Sequence, residues 1–241
     1  MISYLYGKNV GLTLIENHRE IHKLYLSKSA YDSKWQALIA QQNIAFELVD
    51  KQRLSALCGS DKHQGVVIAV KEYSTYSLEE LLQAVPEDQL GLLVILDGIE
   101  DPHNLGAILR NCDGAGAQGV IIAKRRSAPL NATVAKVSSG AIDSVKVAAV
   151  SNINNAIKFL KARGYWIVGC SGEGQDLYNF SFDTAVAIVI GAEGKGLSRL
   201  VKENCDYLIS IPMAGTVRSL NAASASAVVL YQIQHRRSFP K

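Results

Sequence analysis

The apolar positions of the chain come in short runs whose period changes along its length. Up to about residue 71, "YGKNVGLTLIEN" carries apolar residues at helical spacing. "IHKLYLS" then sets Ile21, Leu24 and Leu26 among polar neighbours as a strand would, and "SKWQALIAQQ" returns to helical spacing. A strand over "IAFELVD", a short helix after Asp50 and a strand over "GVVIAV" complete a compact α/β unit. Residues 72–89, "EYSTYSLEELLQAVPEDQ", are richer in charge and contain Pro86, so they are expected as a linker holding one helix capped by Ser77.

From Leu90 onward strands alternate with helices. "LLVILD" is a continuous buried strand, followed by a helix over "NLGAILRNCDGAG" and the strand "GVIIA". A helical "ATVAKVSSGAI" leads into "VKVAAV", and the amphipathic "NINNAIKFLKARG", ended by Gly164, leads into the strand "YWIVGC". "AVAIVIG", a helix near "LSRLVKEN", the strand "YLISIP" and a small-residue helix starting around Ser219 and Asn221 close the pattern. Apolar strands alternating with helices imply a parallel sheet covered on both faces. The domains expected are therefore 1–71, a linker 72–89, and 90–241.

Composition narrows the class. With 241 residues, 48% apolar and 20% charged, the chain has an ample core and the balance of a globular protein. No run approaches the roughly 18 apolar residues of a membrane span, and the N-terminus lacks the basic and apolar regions of a secretory signal. Cys58, Cys112, Cys170 and Cys205 are scattered in apolar stretches, the usage of buried reduced thiols in a cytoplasmic protein, and offer no metal spacing. A net charge of +3 is too small to imply nucleic acid. Two local clusters, Lys124–Arg125–Arg126 and Arg236–Arg237, are candidates for phosphate or for a solvated face.

In a parallel sheet, ligands bind beyond the carboxyl ends of the strands. Four such ends carry polar or glycine-rich loops: "DGIEDPHNLG", "SGEGQD", "GAEGKG" and "PMAGTVRSLN". "GAEGKGLS" fails both G-x-x-x-x-G-K-[ST] and G-x-G-x-x-G, and "GCSGEG" has Glu173 where a nucleophile elbow needs glycine. His63 and His103 have no metal-ligand spacing. Asn104, Ser219 and Asn221 could be helix caps and nothing more, and Arg110 could be a snorkelling surface residue.

The combination is more specific than its parts. "DPHNLGAILR", "VIGAEGKGLS" and "IPMAGTVRSLNAA", in that order, resemble the three signature motifs of the SpoU (TrmH-type) RNA 2′-O-ribose methyltransferases of the SPOUT superfamily. The first unit, from "YGKNVGLTLIENHREIHKLYLS" to "DKHQGVVIAV", is similar to the substrate-binding domain of the branch that methylates a guanosine ribose in large-subunit (23S) ribosomal RNA. The resemblance implies an α/β fold whose parallel sheet ends in a deep trefoil knot, preceded by a small α/β RNA-binding domain. It further implies S-adenosylmethionine as cofactor, RNA as partner, a homodimer and no metal. By position it assigns cofactor binding to Ser171, Gly172, Gly191, Gly196, Ile211, Met213 and Leu220, and catalysis to Arg110, Asn104, Glu193, Ser219 and Asn221.

Arg110 would face the nucleophile and its neighbouring phosphate, either as a base of depressed pKa or as a cation beside a developing alkoxide. Transfer RNA is the alternative substrate, and a non-catalytic RNA-binding assembly factor the alternative class. One departure stands out. The family continues V-S-V-A after the asparagine, whereas this chain reads Ala222-Ala223-Ser224-Ala225, and a hydroxyl moved by one helical residue turns by about 100°.

Overall fold

The computed structural model describes residues 2–16, 19–71 and 73–238. Asn17 and Glu72, which the expected first helix and linker included, lie outside the described residues. The chain divides after Tyr73 into two units, 1–73 and 74–241.

The first unit runs β1 (Ile2–Tyr6), α1 (Lys8–Glu16), β2 (Ile21–Leu26), α2 (Ser33–Gln42), β3 (Phe46–Leu48), α3 (Lys51–Cys58) and β4 (Val66–Lys71). Its sheet has the order β1-β4-β2-β3, with β2 and β3 parallel and the other pairs antiparallel. The central strand β4 buries Val66 to Val70 on both faces, which is why it reads as an unbroken apolar run. Helices α2 and α3 begin at Asp32 and Asp50, whose carboxylates accept from Trp35 N and Arg53 N. The expected first helix started at Tyr6; instead Tyr6 closes β1, and Gly7, at φ +106°, turns the chain into the helix. Strand β1 carries no buried residue, so burial periodicity could not signal it.

The second unit opens within the stretch expected as a linker. Tyr76 bridges to Ala148, and α4 (Leu78–Gln83) is held by a capping box between Ser77 and Glu80. Leu81 on that helix is fully buried against Leu93, Ile121 and Ile157, which ties residues 74–89 to this unit's core. There follow β5 (Leu92–Asp97), α5 (Pro102–Gly114), β6 (Gly119–Ala123), α6 (Ala132–Ser138), α7 (Ala141–Ser144), β7 (Lys146–Val150) and α8 (Ile153–Lys161). The chain ends with β8 (Trp166–Asp176), β9 (Val186–Gly191), α9 (Arg199–Glu203), β10 (Tyr207–Ser210) and α10 (Ala222–Ser238).

All six strands are parallel, in the order β10-β8-β9-β5-β6-β7. From β5 the chain moves one way to β6 and β7 and later returns on the other side, so the β5–β9 boundary is the switch point where such sheets open a crevice. Helix α8 buries Ile153, Ala156, Ile157 and Leu160, one apolar face at the spacing the sequence carried. The expected loop "SGEGQD" belongs to β8 instead. There the register against β10 jumps from Gly169↔Leu208 to Gln175↔Ile209, so residues 170–174 leave the ladder as an excursion. Ser210 Oγ anchors its return by donating to Gly174 O at 2.9 Å.

Candidate functional site

The carboxyl ends of β5, β8, β9 and β10 carry the candidate residues. After β9 the chain makes a tight turn, Ala192 pairing with Gly196 and Gly196 N donating to Ala192 O at 2.8 Å. The three glycines serve this turn for different reasons. Gly194 and Gly196 take φ of +75° and +65°, while a Cβ on Gly191 would collide with the Gly196 carbonyl group. Asp97, at the end of β5, accepts from Ser198 N at 2.6 Å and so fixes the turn to the neighbouring strand.

A cavity of about 350 Å³ lies against this turn, between the ends of β8, β9 and β10 and the segment leading into α10. Its lining includes Ser171 and Gly172 from the excursion, Gly191, Glu193 and Gly196 from the turn, and Ile211, Met213, Ser219 and Leu220 after β10. Every residue expected to hold the cofactor is therefore on one cavity, with Glu193 and Ser219 from the expected catalytic group. Lys195, Leu197 and Arg218 also line it and lie inside the quoted motifs, so they were within reach of the sequence. Cys170 adjoins them; burial, and secondarily Cys205, pushes its thiol up to about 12, so it stays protonated and un-nucleophilic at neutral pH.

A second cavity of about 610 Å³ shares Ala192, Glu193, Lys195, Gly196 and Leu197 with the first. It contains Asn104 and opens between the loops after β5 and β6. Asp101, not Asn104, caps α5, accepting from His103 N at 3.0 Å.

Arg110 and Asn221 line neither cavity. Arg110 is exposed on α5 and, among the described residues, donates only to Ser139 Oγ, at 3.4 Å. Asn221 caps α10, its Oδ1 accepting from Ser224 N at 2.7 Å, whereas Ser219 lies outside the helix and does not cap it. At the departure from the family pattern, the Ala223 carbonyl accepts from Asn111 Nδ2 at 2.8 Å and from Ser226 Oγ at 2.6 Å. Ser226 is fully buried and also bonds Asn111, so the buried hydroxyl on this face of α10 is that of Ser226.

Of the two basic clusters, the C-terminal one is structural. Arg237 donates to the carbonyls of Phe182, Leu90, Gly91 and Thr184, and Arg236 to that of Tyr178. Burial holds the Arg237 guanidinium below its ordinary pKa. Among the described residues no acid, histidine and cysteine group could hold a metal, no helix is long and apolar enough to cross a membrane, and the four cysteines are unpaired. Cys112 is buried; the other three, expected buried, keep a smaller part of their surface in contact with solvent.

Residues 91–231, which carry both cavities, match the SpoU rRNA Methylase family. The chain belongs to that family. Residues 4–76 match a second description, RNA 2′-O ribose methyltransferase substrate binding, which covers nearly the whole first unit of this SpoU protein. A 23S rRNA (guanosine-2′-O-)-methyltransferase, RlmB, from Ralstonia nicotianae is 43% identical over 234 residues, 95% of this chain and 93% of the relative. YacO of Bacillus subtilis, provisionally named a TrmH family tRNA/rRNA methyltransferase, is 39% identical over 240 residues, 98% of this chain and 96% of its own. The crystal structure of the SpoU methyltransferase AviRb from Streptomyces viridochromogenes, in complex with AdoMet, superposes with a TM-score of 0.69 at 26% identity, covering 98% of this chain and 91% of that one.

Proposed function

We propose that this SpoU protein methylates the ribose 2′-hydroxyl of a guanosine in 23S ribosomal RNA, with S-adenosylmethionine as donor. One observation carries the reading: the residues expected to hold the cofactor, scattered from Ser171 to Leu220, converge on one cavity. That cavity fits the group. It offers apolar side chains at Ile211, Met213 and Leu220, bare backbone at Gly172 and Gly191, and no room for a side chain on Gly191. When bound there, the cofactor supplies an electrophilic methyl group on a sulfonium.

The chain's own residues then orient and stabilise. Asn104 faces the second cavity, where it holds the ribose, and Glu193, on both cavities, fixes the relation between ribose and methyl donor. Ser219 borders the donor side, and Asn221 supports it by fixing the start of α10. A guanidinium keeps its proton at ordinary pH, so Arg110 acts as a cation beside the developing alkoxide and the adjacent phosphate. The displaced proton leaves to solvent, to which Glu193 is exposed.

Arg110 sits outside both cavities of its own chain, which supports a homodimer in which a second copy completes the site. Exposed apolar side chains at Val217, Leu220 and Tyr231 supply a surface for it. The deep trefoil knot belongs to the same reading and rests on membership of the SpoU rRNA Methylase family. The protein works in the cytoplasm, where its RNA is made.

The relatives' names favour ribosomal RNA through RlmB and leave transfer RNA open through YacO. Mapping ribose methylation in RNA from cells with and without the gene decides between them. Loss at one 23S guanosine is expected. Loss in transfer RNA instead would shift the substrate, and no loss in either would overturn the function.

A further inference from the structure

The second cavity has a charge layout that cofactor binding does not explain. Its β6 side is cationic: Arg125 and Arg126 line it, in the loop between β6 and α6. Its β5 side is acidic, with Asp97, Glu100 and Asp101. Asp97 and Asp101 each accept a backbone N–H, from Ser198 and His103. Neither arginine side chain, nor that of Glu100, has a hydrogen-bond or ion-pair partner among the described residues.

The loop carrying the arginines is built rather than slack. Arg126 takes φ +58°, a left-handed conformation uncommon for a residue with a side chain. Bonds on either side hold it there. Lys124 N donates to Val150 O at 2.8 Å, Ser127 Oγ to Ala123 O at 2.6 Å, and Ala128 N to Ile99 O at 2.8 Å. The last of these ties the arginine loop to the acidic loop across the cavity. Arg236 and Arg237, by contrast, are engaged by carbonyls of their own chain. An unfavourable backbone conformation fixed from both sides, presenting two adjacent unpartnered guanidiniums, suits a polyanion better than open water.

We propose that this cavity seats the target ribonucleotide of the substrate RNA, with Arg125 and Arg126 as positioning residues that grip the phosphates flanking it. The opposed charges set its orientation. Phosphate oxygens are drawn to the guanidiniums, which bind them as paired donors, and repelled from the carboxylates. The neutral sugar and base, whose hydroxyl and N–H groups are donors, lie toward Glu100. The nucleotide is thus placed against the Ala192–Leu197 wall that the two cavities share. The inference rests on the methyltransferase reading for its chemistry and on the charge layout for its location.

The test compares full-length wild type with Arg125→Ala, Arg126→Asn and the double variant, asparagine being tolerant of left-handed backbone. Methylation kinetics on protein-free 23S rRNA should show KM for RNA raised about tenfold by each change. The slope of log K for RNA against log salt should fall by about one for each arginine removed. Cofactor affinity, measured by calorimetry, should be unchanged. Unaltered KM and salt slope would overturn the proposal, and so would a parallel loss of cofactor affinity, which would make the arginines structural. If wild type methylates no RNA, the proposed function fails, while the salt dependence of RNA binding in wild type and variants still decides this inference.

Discussion

Asn104 and Arg110 share α5 but not one of its faces. Six helical residues separate them by about 9 Å along the axis and about 120° around it, so one ligand in one chain cannot meet both from the same side. The sequence shows both residues and their spacing. It does not show that Arg110 bonds Ser139, because that depends on where α6 packs. Arg110→Ala should abolish methyl transfer and leave cofactor affinity nearly intact, since Arg110 does not line the cavity assigned to the cofactor. Transfer from tritiated cofactor and calorimetry check the two halves, and wild-type turnover in the variant would remove Arg110 from the mechanism. Ala223 teaches a similar lesson. Its side chain breaks the family pattern, yet the structure uses its carbonyl, held by Asn111 and the buried Ser226. A pairing between residues 112 positions apart leaves no trace in local pattern.

At the scale of elements, the strands read best were those buried on both faces, such as β5 and β9, because continuous apolar runs bounded by turns have few other uses. Strand β1 escaped because no residue of it is buried, although the β-branched and aromatic content of "ISYLY" was a usable signal. The excursion in β8 has the sequence of a loop because polar residues interrupt the apolar run; its return to the ladder is set by β10, more than thirty residues later. The end of α10 shows how a basic pair can mislead. Arg237 fastens the helix to the backbone at both Leu90–Gly91 and Phe182–Thr184. Arg237→Ala should lower the unfolding free energy by about 2–4 kcal/mol, because several carbonyls lose a charged donor together. Arg125→Ala, which removes no internal bond, should stay within about 0.5 kcal/mol. Urea denaturation of the two variants provides the comparison.

At the scale of the molecule, composition predicts a linker around the Ser77-capped helix, whereas the structure packs that helix, α4, into the second unit. The exposed face of "SLEELLQAV" carries the charge that suggested a linker, while Leu81 on its other side enters the core of the second unit. Each unit has its own buried sheet, so the division after Tyr73 follows two cores. The proposed assembly of two chains makes its own prediction. Val217 is 63% exposed in the segment before α10 and is one of the apolar side chains, with Tyr231, proposed to meet the second copy. The wild-type protein should sediment as a dimer, and Val217→Asp should shift it toward monomer and reduce turnover about tenfold or more. A wild-type monomer in the ultracentrifuge would remove the second copy from the site.

The strand order also governs how the protein is made. Strand β9 lies between β5 and β8 but follows both in the chain. While the ribosome is still at work, β5, β6 and β7 can assemble as soon as they emerge, but the other edge of β5 has no neighbour until Val186–Gly191 appears. During that interval a wholly apolar strand, Leu92 to Leu96, presents an open edge to the cell, the condition under which nascent chains aggregate. Synthesis through residues 98–191 is therefore the interval in which loss of chaperones should cost this chain most, and slow translation there should cost more soluble protein than slow translation after β9.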